Sequence, residues 1–115
     1  MDARSACIWA CLDCVRACIA AAESFSDAAE ASPLGRASWL GRNCADLCAA
    51  TGRMLAGGAE QDIRRMRAVL DACGSACRMA RVACEPQAKR HQPLRIFVHA
   101  CRRCEAACDR LSRIL

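Results

Sequence analysis

Apolar positions along this chain return at intervals of three, four and seven residues. Cys7, Cys11, Cys14 and Cys18 are separated by four, three and four. Cys44 and Cys48 are four apart, Cys73, Cys77 and Cys84 follow steps of four and seven, and Cys101, Cys104 and Cys108 follow steps of three and four. A helix turns about 100° per residue, so each of these steps comes back to one face. Pro and Gly clusters punctuate the pattern at Ser32-Pro33-Leu34-Gly35, at Gly57-Gly58 and from Glu85-Pro86 to Pro93. They leave four segments, about 3–30, 34–56, 60–84 and 93–114, each rich in the helix formers Ala, Arg, Leu and Glu. None shows the two-residue period of a strand. Short links make successive helices antiparallel neighbours. The expectation is an all-α protein: an antiparallel up-down-up-down four-helix bundle with a cysteine-lined core, forming one domain over 1–115. The connection around Lys89-Arg90-His91-Gln92 is expected to be the longest.

Composition makes the core unusual. Apolar residues are 55% of the chain, yet there are only two Phe, two Trp and no Tyr. Ala and Cys supply much of the apolar content. A core of such small side chains lets helices approach closely but gains less from burial than one of Leu and Phe. The 12 cysteines are the obvious additional source of stability.

Cysteine at about a tenth of a short secreted chain would read as a disulfide scaffold. Here the start, Met1-Asp2-Ala3-Arg4 leading into Cys7–Cys18 with Asp13 and Arg16 inside it, does not resemble a secretory signal. No run of about 18 apolar residues stands out as a membrane span. The chain therefore reads as cytoplasmic and not membrane-bound. In that compartment such cysteines are metal ligands or catalytic groups more often than disulfides. The net charge is +5, with 17 Lys+Arg against 12 Asp+Glu. The basic residues are scattered over helix faces with no aromatic platform or nucleic-acid motif among them, so no nucleic-acid partner is expected.

A single buried Cys is usually a small hydrophobe. Twelve on matching faces of four helices are not explained that way, because Leu or Val would fill the seam without the risk of oxidation. The reading is a metal store whose ligands are Cys7, Cys11, Cys14, Cys18, Cys44, Cys48, Cys73, Cys77, Cys84, Cys101, Cys104 and Cys108. Soft thiolates select Cu(I), Zn or iron–sulfur clusters. Zn prefers four tetrahedral ligands, commonly from C-x2-C knuckles, whereas C-x3-C on regular helix suits a near-linear ion. The ferredoxin run C-x2-C-x2-C-x3-C is absent, and so is the inward Glu-x-x-His of di-iron bundles. One monovalent ion per thiolate also leaves the core neutral, which buried charge demands. The expected cargo is Cu(I), several ions per chain and up to about one per cysteine. No Cys/His/acid constellation suggests an enzyme. Zn or general soft-metal buffering remains the alternative, as does a structural helical protein joined by disulfides.

Cys11-Leu12-Asp13-Cys14-Val15-Arg16-Ala17-Cys18 and Cys101-Arg102-Arg103-Cys104-Glu105-Ala106-Ala107-Cys108 share the pattern C-x2-C-x3-C. With Ala6-Cys7-Ile8-Trp9-Ala10-Cys11 and Asn43-Cys44-Ala45-Asp46-Leu47-Cys48-Ala49 they make nearly the whole chain resemble the cytosolic branch of the four-helix-bundle copper storage proteins. The resemblance implies a bundle packed with Cu(I)–thiolate sites, a homo-oligomer that is commonly a tetramer, and a role in holding copper safely. A copper chaperone or efflux component is then the implied protein partner.

One departure from that family carries its own expectation. Phe25, Ala37, Leu40, Leu94 and Phe97 extend the stripes away from their thiols. They predict a hydrophobic plug at one pole, with a copper store through the rest and Cys84 as a lone thiol beside the plug. Met66, seven before Cys73, falls on the thiol face as core filler or as a thioether at an entrance. Met54 is marginal in angle and Met79 faces out. His99 and His91 read as surface residues. Trp9 and Trp39 lie off the thiol face, where they suggest a subunit contact.

Overall fold

The computed structural model describes residues 1–58 and 62–115. Four helices follow one another: α1 (Ala3–Ser24), α2 (Pro33–Ala56), α3 (Ile63–Ala88) and α4 (Gln92–Ile114). Each begins where the sequence supplies a start. Asp2 accepts a hydrogen bond from the Ser5 amide, Ser32 accepts one from the Gly35 amide just ahead of Pro33, and Asp62 accepts one from the Arg64 amide. His91 caps α4 without a side-chain bond, and Pro93 sits in that first turn.

The boundaries differ from expectation at two places. The first helix stops at Ser24 and does not run to residue 30. Ser24 Oγ donates to the Ala20 carbonyl and Ser26 Oγ to the Glu23 carbonyl, at 2.7 and 3.1 Å. Such local side-chain bonds compete with the helix ladder, so a Ser- and Asp-containing stretch unwinds. The third helix, in contrast, continues past Glu85-Pro86 to Ala88. Pro86 falls in the last turn, where its missing N–H removes one bond before the helix ends anyway. The proposed start of that segment at residue 60 lies outside the described residues.

The helices pack in the cyclic order α1–α2, α2–α3, α3–α4 and α4–α1, in a rod of 44 × 20 × 18 Å. Register shows the directions. Cys7, Cys11 and Cys14 meet Cys108, Cys104 and Cys101 in turn, so α1 and α4 run oppositely. This is the up-down-up-down bundle. Small residues allow the close approach. Gly41 of α2 lies where an added Cβ would sit 2.8 Å from the Cys18 carbonyl oxygen, and Ser38 Oγ donates to the Ala22 carbonyl at 2.8 Å. On the opposite side Arg81 bridges α3 and α4 through Glu105 at 2.7 Å, with Glu85 at 3.1 Å.

By length and composition alone, α1 is apolar enough to cross a membrane, with a mean hydropathy of 1.6 over its best window. The expectation that no such run exists is therefore corrected. The bundle uses only one face of this helix internally: Cys7, Cys11, Cys14, Ala17, Cys18, Ala21 and Ala22 are buried, while Trp9, Leu12 and Ile19 stay exposed on the outer face.

Two glycines test the packing account. Gly41→Ala should destabilise the bundle by about 1–3 kcal/mol, because backbone must move to admit the methyl. Gly74→Ala, whose Cβ would meet Cys108 Cβ at an ordinary 3.7 Å, should instead stabilise by about 0.5–1 kcal/mol. Equilibrium denaturation of both variants checks the opposite signs.

Candidate metal centre

All twelve cysteines are buried and none is in a disulfide. Their sulfurs converge on the bundle axis. Across α1 and α4, Cys7–Cys108, Cys11–Cys104 and Cys14–Cys101 lie 3.7, 3.8 and 3.8 Å apart. Across α2 and α3, Cys44–Cys77, Cys48–Cys77 and Cys48–Cys73 lie at 3.8, 3.7 and 3.9 Å. Diagonal contacts at 4.0 Å, Cys44–Cys101 and Cys48–Cys104, join the two pairs of helices. A disulfide needs about 2.05 Å between sulfurs, so these are packed free thiols.

The contacts make a string and not a set of separate sites. Four groups of four sulfurs have every member within 4.8 Å of the others: Cys11/Cys73/Cys104/Cys108, Cys48/Cys73/Cys77/Cys104, Cys14/Cys44/Cys48/Cys77 and Cys14/Cys18/Cys44/Cys101. Neighbouring groups share two members. Cys7 joins through Cys108, so eleven of the twelve thiols are connected. A metal–thiolate bond is about 2.3 Å for a comparable soft d10 ion, so two in line span about 4.6 Å. The close contacts, from 3.7 Å at Cys7–Cys108 to 4.0 Å at Cys44–Cys101, fall a little short of that span, and every pair within a four-sulfur group lies inside 4.8 Å. Sequence reasoning placed the ion between i and i+4 thiols of one helix. Cys14–Cys18 and Cys44–Cys48 do lie at 3.7 and 3.9 Å, but most of the close contacts run between helices. A single helix stripe cannot show those.

Within the string, sulfur–sulfur hydrogen bonding, in which either partner of pairs such as Cys7–Cys108 and Cys11–Cys104 can donate, shifts the thiols in opposite directions. Bonding with Cys108 and then Cys11 lowers the Cys7 thiol to about 4, and bonding with the same two lowers Cys104 to about 7. Cys18, held first by its bond to Cys101 and then by Cys14, is pushed upward. A sulfur that receives protons is favoured as thiolate, and one that donates is kept as thiol. Cys84 stands apart. It has no sulfur neighbour within 4.0 Å among the described residues, and burial pushes its thiol up to about 11, with the charge at Cys44 adding to this.

The string is closed at both ends. On the plug side Ala37, Leu94 and Phe97 are fully buried as expected. Phe25 and Leu40 only half-bury against them. His91, read as a surface residue, packs the edge of its ring against Phe25 with centroids 5.4 Å apart. The other pole was expected to continue the copper store, with Met66 on its face as core filler or as a thioether at an entrance. It carries a second apolar cap of Leu55, Met66, Leu70 and Leu111, with Thr51 buried beside it and donating to the Leu47 carbonyl at 2.8 Å. The signal for this cap was present, because 48–51–55, 73–70–66 and 108–111 continue the steps of three and four. Met66 is accordingly core. His99, Met79, Trp9 and Trp39 are exposed, as their angles implied.

Fold and site together define a helical bundle built to hold soft metal ions on a continuous line of thiols. The chain belongs to the copper storage protein family, whose pattern it matches over residues 1–113. No curated protein sequence matches it. Among solved structures it is similar to a cytosolic copper storage protein from Streptomyces lividans in a five-copper state, with 34% identity, a TM-score of 0.91 and coverage of 98% of this chain and 94% of that one. The same Streptomyces lividans protein loaded with 10 copper equivalents matches at the same identity and TM-score, covering 98% of this chain and 86% of that one.

Burial predicts the thiol reactivity. Native metal-free protein should react slowly with a thiol reagent, and all twelve cysteines should react after denaturation without reductant. Fast native labelling of several thiols would contradict the packing described above.

Proposed function

We propose that this protein binds and stores Cu(I) in the cytosol along its thiol string, without catalysis. The observation that carries the reading is the overlap of the four sulfur groups. An ion bound between any two sulfurs has a further sulfur within reach, so neighbouring ions share bridging thiolates and a filled, electrically neutral line results. Buried thiolates need that neutralisation, since uncompensated charge in an apolar core is prohibitively costly. Membership of the copper storage family and the copper-loaded relatives support the same reading. All twelve cysteines are proposed ligands, with Cys84 set apart from the other eleven. The chain acts as one unit over 1–115.

A Zn reading finds support in the same groups, because four sulfurs within 4.8 Å suit a tetrahedral ion. Two facts weigh against it. The groups share members, so at most two separate tetrads form from them, such as Cys11/Cys73/Cys104/Cys108 and Cys14/Cys18/Cys44/Cys101. Each Zn with four thiolates also leaves two negative charges buried.

The copies assemble as a homo-oligomer, a tetramer by family resemblance. Exposed Trp9, Leu12, Ile19 and Trp39 on the outer faces of α1 and α2 supply an apolar contact surface for this. A copper chaperone or efflux component exchanges ions with the store.

Anaerobic titration with Cu(I) should saturate at about eleven ions per chain, and saturation at two to four would favour Zn. Because each ion displaces thiol protons, lowering the pH from about 7 to about 5 should weaken retention. Retention measured against a Cu(I) chelator at both pH values checks the sign.

A further inference from the structure

Both ends of the thiol string are sealed by apolar side chains, which leaves open how an ion reaches it. The larger surface groove, between α3 and α4, and a third beside Ile19 are lined without a cysteine. A groove of about 300 Å³ between the start of α2 and the end of α3 differs. Its walls include Pro33, Arg36, Leu40, Ala83 and Gln87, and its lining includes Cys84. The Cys84 side chain is 2% exposed and has no hydrogen-bond or sulfur partner among the described residues. It is a buried, unpartnered soft donor with one side against a solvent-filled groove.

The position of Cys84 relative to the string matters as much. It lies two turns, about 10.5 Å, beyond Cys77 on the same face of α3, and Cys77 is 3.8 Å from Cys44 in the string. The seam position between them is Ala80. The surrounding layer, Ala21 of α1, Ala37 and Gly41 of α2 and Ala100 of α4, is also buried and small. The large buried side chain at this end is Phe97, one turn before Cys101 on the α4 seam, so an ion moving from Cys84 to the first thiols of the string travels along the small-residue side of the layer, past Ala80. Leu55, Met66, Leu70 and Leu111 block the opposite pole.

We propose that this groove is the loading port and that Cys84 is the thiol that takes Cu(I) from an external thiolate donor and passes it to the Cys44/Cys77 end of the string. The inference rests on the Cu(I)-storage reading. The donor is a bis-thiolate Cu(I) complex of a small thiol. A copper–sulfur bond forms to Cys84 Sγ, one donor copper–sulfur bond breaks, and the Cys84 proton leaves on the released donor thiolate. A string thiol then bonds to copper as the second donor bond breaks, its proton leaving on that second thiolate. A further string thiol replaces Cys84, which takes up that thiol's proton. Copper stays Cu(I) throughout. Arg36 at the rim suits the negative charge of the donor complex.

The test compares loading rates from a glutathione–Cu(I) complex under anaerobic conditions, each read as the approach to that variant's own end point. Cys84→Ala should slow loading by about tenfold, since exchange depends on thiol access. Ala83→Trp, which fills the groove from an exposed helix position, should slow it similarly. Ala106→Trp, which fills the larger, cysteine-free groove between α3 and α4 from an exposed position, should leave the rate constant close to that of the original chain. Circular dichroism confirms that each variant folds, and Ala83→Trp keeps the test decisive should Cys84→Ala fail to fold. If Cys84→Ala and Ala83→Trp load as fast as the original chain, or if Ala106→Trp slows loading as much as they do, the port is elsewhere and the inference is overturned. Failure of the original chain to bind Cu(I) would instead overturn the storage reading beneath it.

Discussion

A thiolate buried among alanines and leucines must be neutralised where it stands, and that constraint organises the whole bundle. A proton can do it, and so can a shared monovalent cation. Packing sulfurs 3.7–4.0 Å apart on the axis makes the two interchangeable. Without metal, the S–H groups bond to one another and the core holds together as a small-residue interior. With metal, ions replace protons between sulfurs that are already at nearly the required separation. The scaffold therefore needs little rearrangement to fill.

The rest of the structure serves that line. Alanine and glycine on the flanks bring the helices close enough for sulfurs on four chain segments to meet, most tightly at Gly41 against the Cys18 carbonyl. Apolar caps at both poles keep water from the thiols: Phe97 and Leu94 at one end, Leu55 and Leu70 at the other. Salt bridges from Arg81 to Glu105 and Glu85 join α3 and α4 on the outside, where charge is solvated. The division between an uncharged interior and an arginine-rich surface follows from the same electrostatic cost.

Much of this was legible in the sequence because a helix writes its contacts at fixed steps. The four stripes, the bundle order, the burial of every cysteine and the exposure of Trp9 and Trp39 all follow from spacing. What escaped the sequence was of two kinds. Local chemistry shifted helix ends: Ser24 and Ser26 unwound α1 early, while Pro86 proved harmless in a last turn. Relations between helices were invisible, so the dominance of sulfur contacts across helices emerged only from the packed structure, whereas Cys84 as a lone thiol beside the plug was already legible from the apolar residues that share its pole. The second cap is written in the sequence at the same steps, since Thr51, Leu55, Leu70 and Leu111 continue the stripes beyond Cys48, Cys73 and Cys108.

The central claim is that soft monovalent ions fill one line of bridging sulfurs inside the bundle. Diffraction from crystals of the Cu(I)-loaded protein, with anomalous data collected at the copper edge, measures it most directly. The account requires a row of copper peaks along the axis, each between sulfurs of different helices, ending inside Leu55 and Leu70 at one pole and inside Phe97 at the other. Peaks scattered on the protein surface, or a few isolated tetrahedral sites with thiols left empty between them, would contradict it.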